Sequence, residues 1–213
     1  MYMKKHIAPV LAAAVMLCGC SAGGYKADVD GRTVVARPAG IRVEMPEGWN
    51  VYGSGSVYRE MYKRSGDAYQ SAGELKKDYE SEGQRCLALG ESADASVICM
   101  VTVHDLTNDG GEQAQPADYA RTVHDSTIFE YLAAGYKTGS DSSFSEGSEG
   151  GLDCWTSHFE LFLPDGDDGG AQFVLGQTEY LFSHGDNMYS VQLVYSNPDG
   201  REQAQSVAVS VDE

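Results

Sequence analysis

Residues 152–196 read LDCWTSHFELFLPDGDDGGAQFVLGQTEYLFSHGDNMYSVQLVYS, and this stretch predicts three long β-strands. In the first strand apolar and polar side chains alternate, which places Trp155, Phe159 and Leu161 on one face. The connections DGDDGG and HGDN consist of turn-forming residues. Consecutive strands joined by such short loops pair antiparallel, so the stretch predicts a meander. Its strands are residues 152–163, 172–183 and 188–196.

The residues before the meander predict shorter strands and two helices. Two hairpins are predicted, residues 32–37 with 41–45 and residues 84–89 with 96–104. The helices are residues 74–81, with Ser71 as the cap, and residues 116–134, with Pro116 in the first turn. Residues 137–151 are rich in Ser, Gly and acids and predict a solvated loop, and the segment after Gly200 predicts a short helix that ends near Val209.

This order of elements, with MPEGW at residues 45–49 and MYSVQLVYS at residues 188–196, resembles the Mog1/PsbP-like fold. The resemblance covers residues 32–211 and implies an α+β domain, an antiparallel sheet with flanking helices arranged as an α/β/α sandwich. One domain is then expected over residues 32–213. The resemblance also implies a non-enzymatic domain that binds or assists partners, including cell-envelope complexes.

The first residues, MYMKKHIAPVLAAAVMLCGCSAGG, have the basic start and short apolar run of a secretory signal peptide. An apolar run of eleven residues spans only ~17 Å as a helix, too short for a bilayer core of ~30 Å. Residues 17–20 (LCGC) resemble the bacterial lipobox, which implies cleavage after residue 19 and acylation of Cys20. Cys18 as the acylated residue, and an ordinary signal peptide with a coincidental cysteine, are the alternatives.

A lipid on Cys20 predicts a protein anchored in the cell membrane and held at its extracytoplasmic face. Residues 1–19 are then the lipoprotein signal peptide, and residues 20–31 form a lipidated polar tether. Ser21 does not resemble the Asp signal that keeps some lipoproteins at the inner membrane.

The formal net charge of −17 disfavours a nucleic-acid partner, because phosphate recognition depends on basic residues. The charge is uneven along the chain. Residues 20–85 contain 10 basic and 10 acidic residues, whereas residues 86–213 contain 3 and 22. An acidic second part favours a cationic partner over an anionic membrane surface.

The sequence predicts no metal, cofactor or catalytic site. Zinc ligands at local spacings and a G-x-S-x-G nucleophile motif are missing. The DGDD run at residues 165–168 departs from a calcium loop because Gly169 and Gly176 stand at ligand positions. We therefore predict a non-enzymatic binding or assembly module with an envelope protein partner. A solute-binding lipoprotein and a hydrolase with a dispersed site are the alternatives.

Three cysteines remain after Cys20, in an exported and oxidising setting. If the second hairpin turns at residues 92–93, Cys86 faces Cys99 directly, so a Cys86–Cys99 disulfide is the first prediction. The alternatives are Cys99–Cys154, Cys86–Cys154 or three buried thiols.

One segment has the composition of an interaction surface, because Tyr and Arg are enriched among interface hot spots. Its candidate contact residues are Tyr58, Arg59, Tyr62, Lys63 and Arg64. The alternative is that the tyrosines are half-buried and the basic residues solvate a short helix.

Overall fold

The computed structural model describes residues 24–66, 68–107, 114–164 and 170–212. The strands in these residues are β1 (Lys26–Asp30), β2 (Thr33–Arg37), β3 (Ile41–Glu44), β4 (Asn50–Gly53), β5 (Gln84–Glu91), β6 (Val97–Asp105), β7 (Lys137–Thr138), β8 (Ser143–Glu149), β9 (Leu152–Pro164), β10 (Ala171–His184), β11 (Asn187–Tyr195) and β12 (Ala208–Val211). The helices are α1 (Val57–Arg64), α2 (Ala72–Ser81), α3 (Pro116–Ala133) and α4 (Gly200–Gln205).

The strands form two antiparallel sheets. The main sheet has the order β4-β5-β6-β11-β10-β9-β7, and β8 pairs with β9 beside this path. The small sheet has the order β1-β2-β3-β12. The predicted meander is confirmed as β9, β10 and β11, which pair with each other in sequence.

The larger core lies between the two sheets. Val34 and Ile41 of the small sheet pack there against Val101 and Val191 of the main sheet, and Ala204 of α4 packs on the same side. Helices α1, α2 and α3 cover the opposite face of the main sheet in smaller apolar clusters. The predicted α+β class, an antiparallel sheet with flanking helices, is confirmed.

The two predicted helices that precede the meander form, for the reasons that the sequence indicates. The side chain of Ser71 accepts a hydrogen bond from the Glu74 backbone N–H at 3.1 Å, which caps α2. Helix α3 has Pro116 in its first turn, where the missing N–H costs no intrahelical bond. Gly135, with φ of 91°, follows α3 in the left-handed conformation that commonly ends a helix.

The prediction of a loop over residues 137–151 is wrong, because the segment contains β7 and β8. Strand β8 pairs with β9 along its whole length, from Ser143 opposite His158 to Glu149 opposite Leu152. Its side chains are nearly all exposed, so neither face of the strand needs apolar residues. The sequence of β8 therefore lacks the apolar alternation that predicts a strand. The polar composition marks an edge strand rather than a loop.

Other segments also differ from prediction. Helix α1 lies in the region between residues 53 and 83, where the sequence pattern is weak. Strand β1 lies within residues 20–31, which the sequence predicts to be a polar tether. The terminal helix ends at Gln205, and Val209 belongs to β12, where it pairs with Val43 of β3. Every second residue of 207–211 is a valine that packs against the core between the sheets. This alternation favours a strand over a helix.

Candidate functional site

A polar cleft lies between α2 and α3, on the helix-covered face of the main sheet. Its floor consists of polar side chains from four adjacent strands, namely Gln84, Thr102, His104, Glu179, Ser190 and Gln192. Its walls are Tyr79, Met100, Tyr119, Val123 and Leu181. We call this set of residues the polar cleft.

Strand register brings these polar side chains together. Gln84 of β5 lies opposite His104 of β6, and Glu179 of β10 lies opposite Gln192 of β11. Directly opposite residues on one face of an antiparallel pair have their side chains in contact range. Met100 and Leu181 lie beside these side chains, so the floor is a polar band flanked by apolar residues.

Burial controls the charge of the cleft floor. Glu179 is buried, and burial raises the pKa of its carboxyl although Ser190 Oγ donates to it at 2.5 Å and Gln177 Nε2 at 3.4 Å. Burial also lowers the pKa of His104 to about 3, so its imidazole is neutral near pH 7. Burial, and then the nearby Glu179 carboxyl, raise the pKa of Tyr119.

The cavity in this cleft is small, at about 20 Å³. That volume holds about one water molecule, whereas small-molecule sites enclose roughly 300–1,000 Å³. The polar cleft therefore does not have the size that a solute-binding lipoprotein requires. Its chemistry is that of a site for a single atom or a very small ion.

A serine–histidine pair occurs beside the cleft. His124 Nδ1 of α3 lies 2.7 Å from Ser157 Oγ of β9, within hydrogen-bonding distance. Ser157 is only 1% exposed, in the middle of a strand and beneath α3, so a substrate carbonyl has no path to its oxygen. The pair attaches α3 to the main sheet and gives the hydrolase alternative no support.

The outward surface of α3 exposes large apolar side chains. Phe129 is 71% exposed and Leu132 is 47% exposed. They are three residues apart and therefore adjacent on the helix surface, and the exposed Ala133 extends the same patch. The face of α3 that contacts the sheet is occupied by other residues, including Tyr131. We call Phe129, Leu132 and Ala133 the α3 patch.

The predicted interaction residues all lie on α1, but two of them are turned toward the main sheet and largely buried. Tyr58 is 8% exposed, and its hydroxyl oxygen accepts a hydrogen bond from the Cys86 backbone N–H at 2.9 Å. Arg64 is largely buried and forms an ion pair with Glu91. Tyr58 and Arg64 therefore stabilise the docking of α1, and their assignment as surface contacts is corrected.

The rest of the α1 set stays accessible. Arg59 and Lys63 are exposed and lie 3.3 Å and 2.7 Å from carboxylate oxygens of Glu60. Tyr62 is half-buried, and its hydroxyl donates to the Gln70 carbonyl at 3.1 Å. Contact of these three residues with a partner stays a prediction.

The Cys86–Cys99 disulfide is not formed. Cys99 lies opposite Gly90 and Cys86 lies opposite Thr102, so the two cysteines are not paired across the hairpin. Cys86 packs under α1 and α2, whereas Cys99 faces the core between the sheets. Both thiols are free and buried, and Cys154 is also free and half-buried.

The predicted lipidation site, Cys20, lies outside the described residues. Among the residues that the structure does describe, no helix is both long and apolar enough to cross a bilayer. In the same residues no three His, Cys, Asp or Glu side chains are grouped so that they could hold a metal ion.

Neither the polar cleft nor the α3 patch is predicted from the sequence. The signal for the cleft was a polar residue at a core-facing position of an apolar strand, as at Gln192 in MYSVQLVYS. The signal for the patch was Phe129, an aromatic residue at a helix position that faces away from the apolar stripe. Both signals can be read only after the buried face of each element is known.

No protein-family model matches the chain, and no curated protein matches it. Among solved structures, it is similar to the cyanobacterial PsbP (CyanoP) of Synechocystis sp., with 10% identity, 88% of this chain and 91% of that chain covered, and a TM-score of 0.45. It is also similar to LpqN of Mycobacterium tuberculosis, a protein involved in cell envelope biogenesis, with 12% identity, 88% and 92% covered, and a TM-score of 0.40.

A third similar structure is a protein of Bacteroides thetaiotaomicron, with 13% identity, a TM-score of 0.38, and 87% of this chain but 50% of that chain covered. At TM-scores below 0.5, these likenesses assign no activity, ligand or partner to the chain.

Proposed function

We propose that the chain is a lipid-anchored extracytoplasmic protein whose Mog1/PsbP-like domain is a non-enzymatic binding or assembly module. The α3 patch is its contact surface for an envelope protein. The observation that carries this proposal is the exposure of Phe129, 71%, next to Leu132 on the outer side of the longest helix among the described residues. Adjacent exposed apolar side chains of this size are typical of protein contact sites.

The charge around the α3 patch favours a cationic partner. Helix α3 exposes Asp118, Asp125 and Glu130 against one exposed arginine, Arg121. The same excess of acidic over basic residues holds for residues 86–213 as a whole, with 22 acidic and 3 basic residues. A partner that combines basic residues with an apolar pocket for Phe129 complements both features, since opposite potentials increase association rates and aromatic anchors contribute affinity.

The proposed anchor restricts where that partner is found. Five residues separate Cys20 from the start of β1 at Lys26, and an extended chain of that length spans at most ~18 Å. A lipid on Cys20 would therefore hold the domain close to the membrane. This supports a partner that is itself a component of the envelope.

Substituting Phe129 with Glu should disrupt the complex. The complex would remove the new carboxylate from water without a partner, which costs free energy. We expect at least a tenfold loss of affinity, about 1.4 kcal/mol.

The measurement is the size of the detergent-extracted lipoprotein by gel filtration. The wild type should elute as a larger complex and Phe129→Glu as the free chain. Thr122→Glu, on the same side of α3, is the matched control and should elute like the wild type. Equal elution of wild type and Phe129→Glu would argue against the α3 patch.

Substituting Cys20 with Ser should release the protein from the membrane. Without the thiol no lipid can be attached, and the remaining chain has too short an apolar segment to anchor stably. The measurement is membrane fractionation, with Cys18→Ser as the control. We expect nearly all of the wild type and of Cys18→Ser in the membrane fraction, and Cys20→Ser outside it. Membrane retention of Cys20→Ser would contradict the proposed anchor.

A further inference from the structure

We propose that the polar cleft binds a single ammonium-type cation, held between the Glu179 carboxylate and the Gln192 amide oxygen. The site is independent of the proposed lipid anchor and of the α3 patch. It is formed entirely by the main sheet and the two helices that cover its polar band.

The first argument is the excess of hydrogen-bond acceptors on the floor. Gln192 Oε1 is buried and accepts no hydrogen bond from the described residues. Directly across the β10–β11 pair, one Glu179 carboxyl oxygen accepts from Ser190 Oγ at 2.5 Å, and the other accepts from Gln177 Nε2 at the longer distance of 3.4 Å. A carboxylate can accept about four hydrogen bonds, so both side chains have capacity for a donor.

The second argument is the missing positive charge. Burial raises the pKa of the Glu179 carboxyl toward the neutral form, and a neighbouring positive charge is what would favour the carboxylate. Neither Lys nor Arg lines the polar cleft, and the His104 imidazole that does so is neutral. A bound cation supplies the positive charge that Glu179 lacks and a donor for Gln192 Oε1.

The third argument identifies the class of cation. The cavity of about 20 Å³ admits an ion the size of a water molecule. Tyr79 and Tyr119 add aromatic rings to the walls, and such rings attract ammonium groups. Divalent metals bind where several His, Cys or carboxylate ligands converge, and no three such side chains are grouped in this way among the described residues. A cation that donates hydrogen bonds fits these walls and this floor better.

The test is thermal unfolding of the full chain in ammonium chloride, with sodium chloride and choline chloride at equal ionic strength as controls. At a concentration ten times the Kd, a ligand of the native state raises the Tm by about 4 °C in a chain of this length. We expect a rise in Tm that grows with the logarithm of the ammonium concentration above the Kd, for the wild type and for Glu146→Gln, an exposed-acid control. We expect no such rise for Glu179→Gln.

Glu179→Gln keeps an acceptor for Ser190 Oγ and has nearly the same shape, so it should fold. If it does not, Gln192→Leu is the second variant and should also abolish the rise. Equal Tm in the three salts would overturn the proposal, as would an ammonium effect that persists in Glu179→Gln or Gln192→Leu.

Discussion

Replacing Gly176 with Ala is expected to lower the free energy of unfolding by about 4 kcal/mol, at the upper end for single substitutions. Gly176 lies opposite Tyr195 in the β10–β11 pair, and a methyl group at this position would overlap the Tyr195 ring. The ring cannot move aside, because it is buried, stacks on Phe173 at 5.9 Å and donates a hydrogen bond from its hydroxyl to Glu160 at 2.6 Å. The clash must therefore be relieved by breaking packing or the hydrogen bond.

Chemical denaturation of the two proteins measures this effect. The matched control is Gly147→Ala, since Gly147 also lies in a strand but its added methyl meets only Cys154 Sγ at 3.6 Å, an ordinary contact. We expect a change of less than about 1 kcal/mol for that control. A loss for Gly176→Ala no larger than for Gly147→Ala would mean that Tyr195 does not occupy the space beside Gly176.

Replacing Arg201 with Gln is expected to cost about 2 kcal/mol near pH 7, less than a fully buried pair because Arg201 is 37% exposed. Arg201 Nε lies 2.9 Å and Nη2 2.5 Å from Glu160 Oε1, which also accepts the Tyr195 hydrogen bond. Burial raises the pKa of the Glu160 carboxyl, but Arg201 and Tyr195 outweigh burial and lower it below its ordinary value.

The sign of the pH dependence follows from that lowered pKa. Stability from Glu160 is present above the ordinary carboxyl pKa of 4.5 and is lost as the pH falls through the lower pKa of the folded state. The difference between wild type and Arg201→Gln should therefore be largest near pH 7 and shrink below pH 4.5. Chemical denaturation at several pH values measures this difference in stability.

The control variant is Arg121→Gln, which removes an exposed ion pair with Glu146 and should change stability little at any pH. A pH-independent cost for Arg201→Gln would contradict the role of its charge.

The sequence predicted strands in which apolar and polar side chains alternate. In β9 the residues from Trp155 to Phe159 alternate between buried and half-buried. Strand β11 is buried on both faces, with its alternate apolar residues in the core between the sheets and Ser190 and Gln192 in the polar cleft. Strand β8 and the tether-side strand β1 were missed, since their side chains are mostly exposed and carry no such pattern. Pairing with a neighbouring strand, which periodicity does not record, holds both in place.

The predicted Cys86–Cys99 disulfide is wrong because β5 and β6 pair in a different register from the one assumed. The β5–β6 turn is centred beyond the assumed position, with the Ser92 backbone N–H bonded to the Val97 carbonyl at 3.0 Å and the Asp94 carboxylate accepting from Ser92 Oγ and Ser96 Oγ. An irregularity between Cys86 and Ala88 shifts the pairing again. A turn stabilised by side-chain hydrogen bonds and a bulge cannot be placed from hydrophobic alternation.

The candidate sites depend on contacts between distant segments. Glu179 and Gln192 are adjacent only because β10 pairs with β11, and the polar cleft closes only when α2 and α3 cover them. Phe129 is recognised as unusual only when Tyr131 is seen to face the sheet. For the same reason Tyr58 could not be separated from its exposed neighbour Arg59 before α1 was placed on β5.

The central claim, that the α3 patch contacts an envelope protein, is tested most directly by site-specific photo-crosslinking in intact envelopes. A photo-reactive side chain replaces Phe129 in the full-length lipoprotein, and the same group replaces Thr122 on α3 as a control. We predict one protein adduct of defined mass from position 129, lost when Leu132→Glu is added, and little adduct from position 122. The absence of an adduct from position 129, or the same adduct from both positions, would contradict the claim.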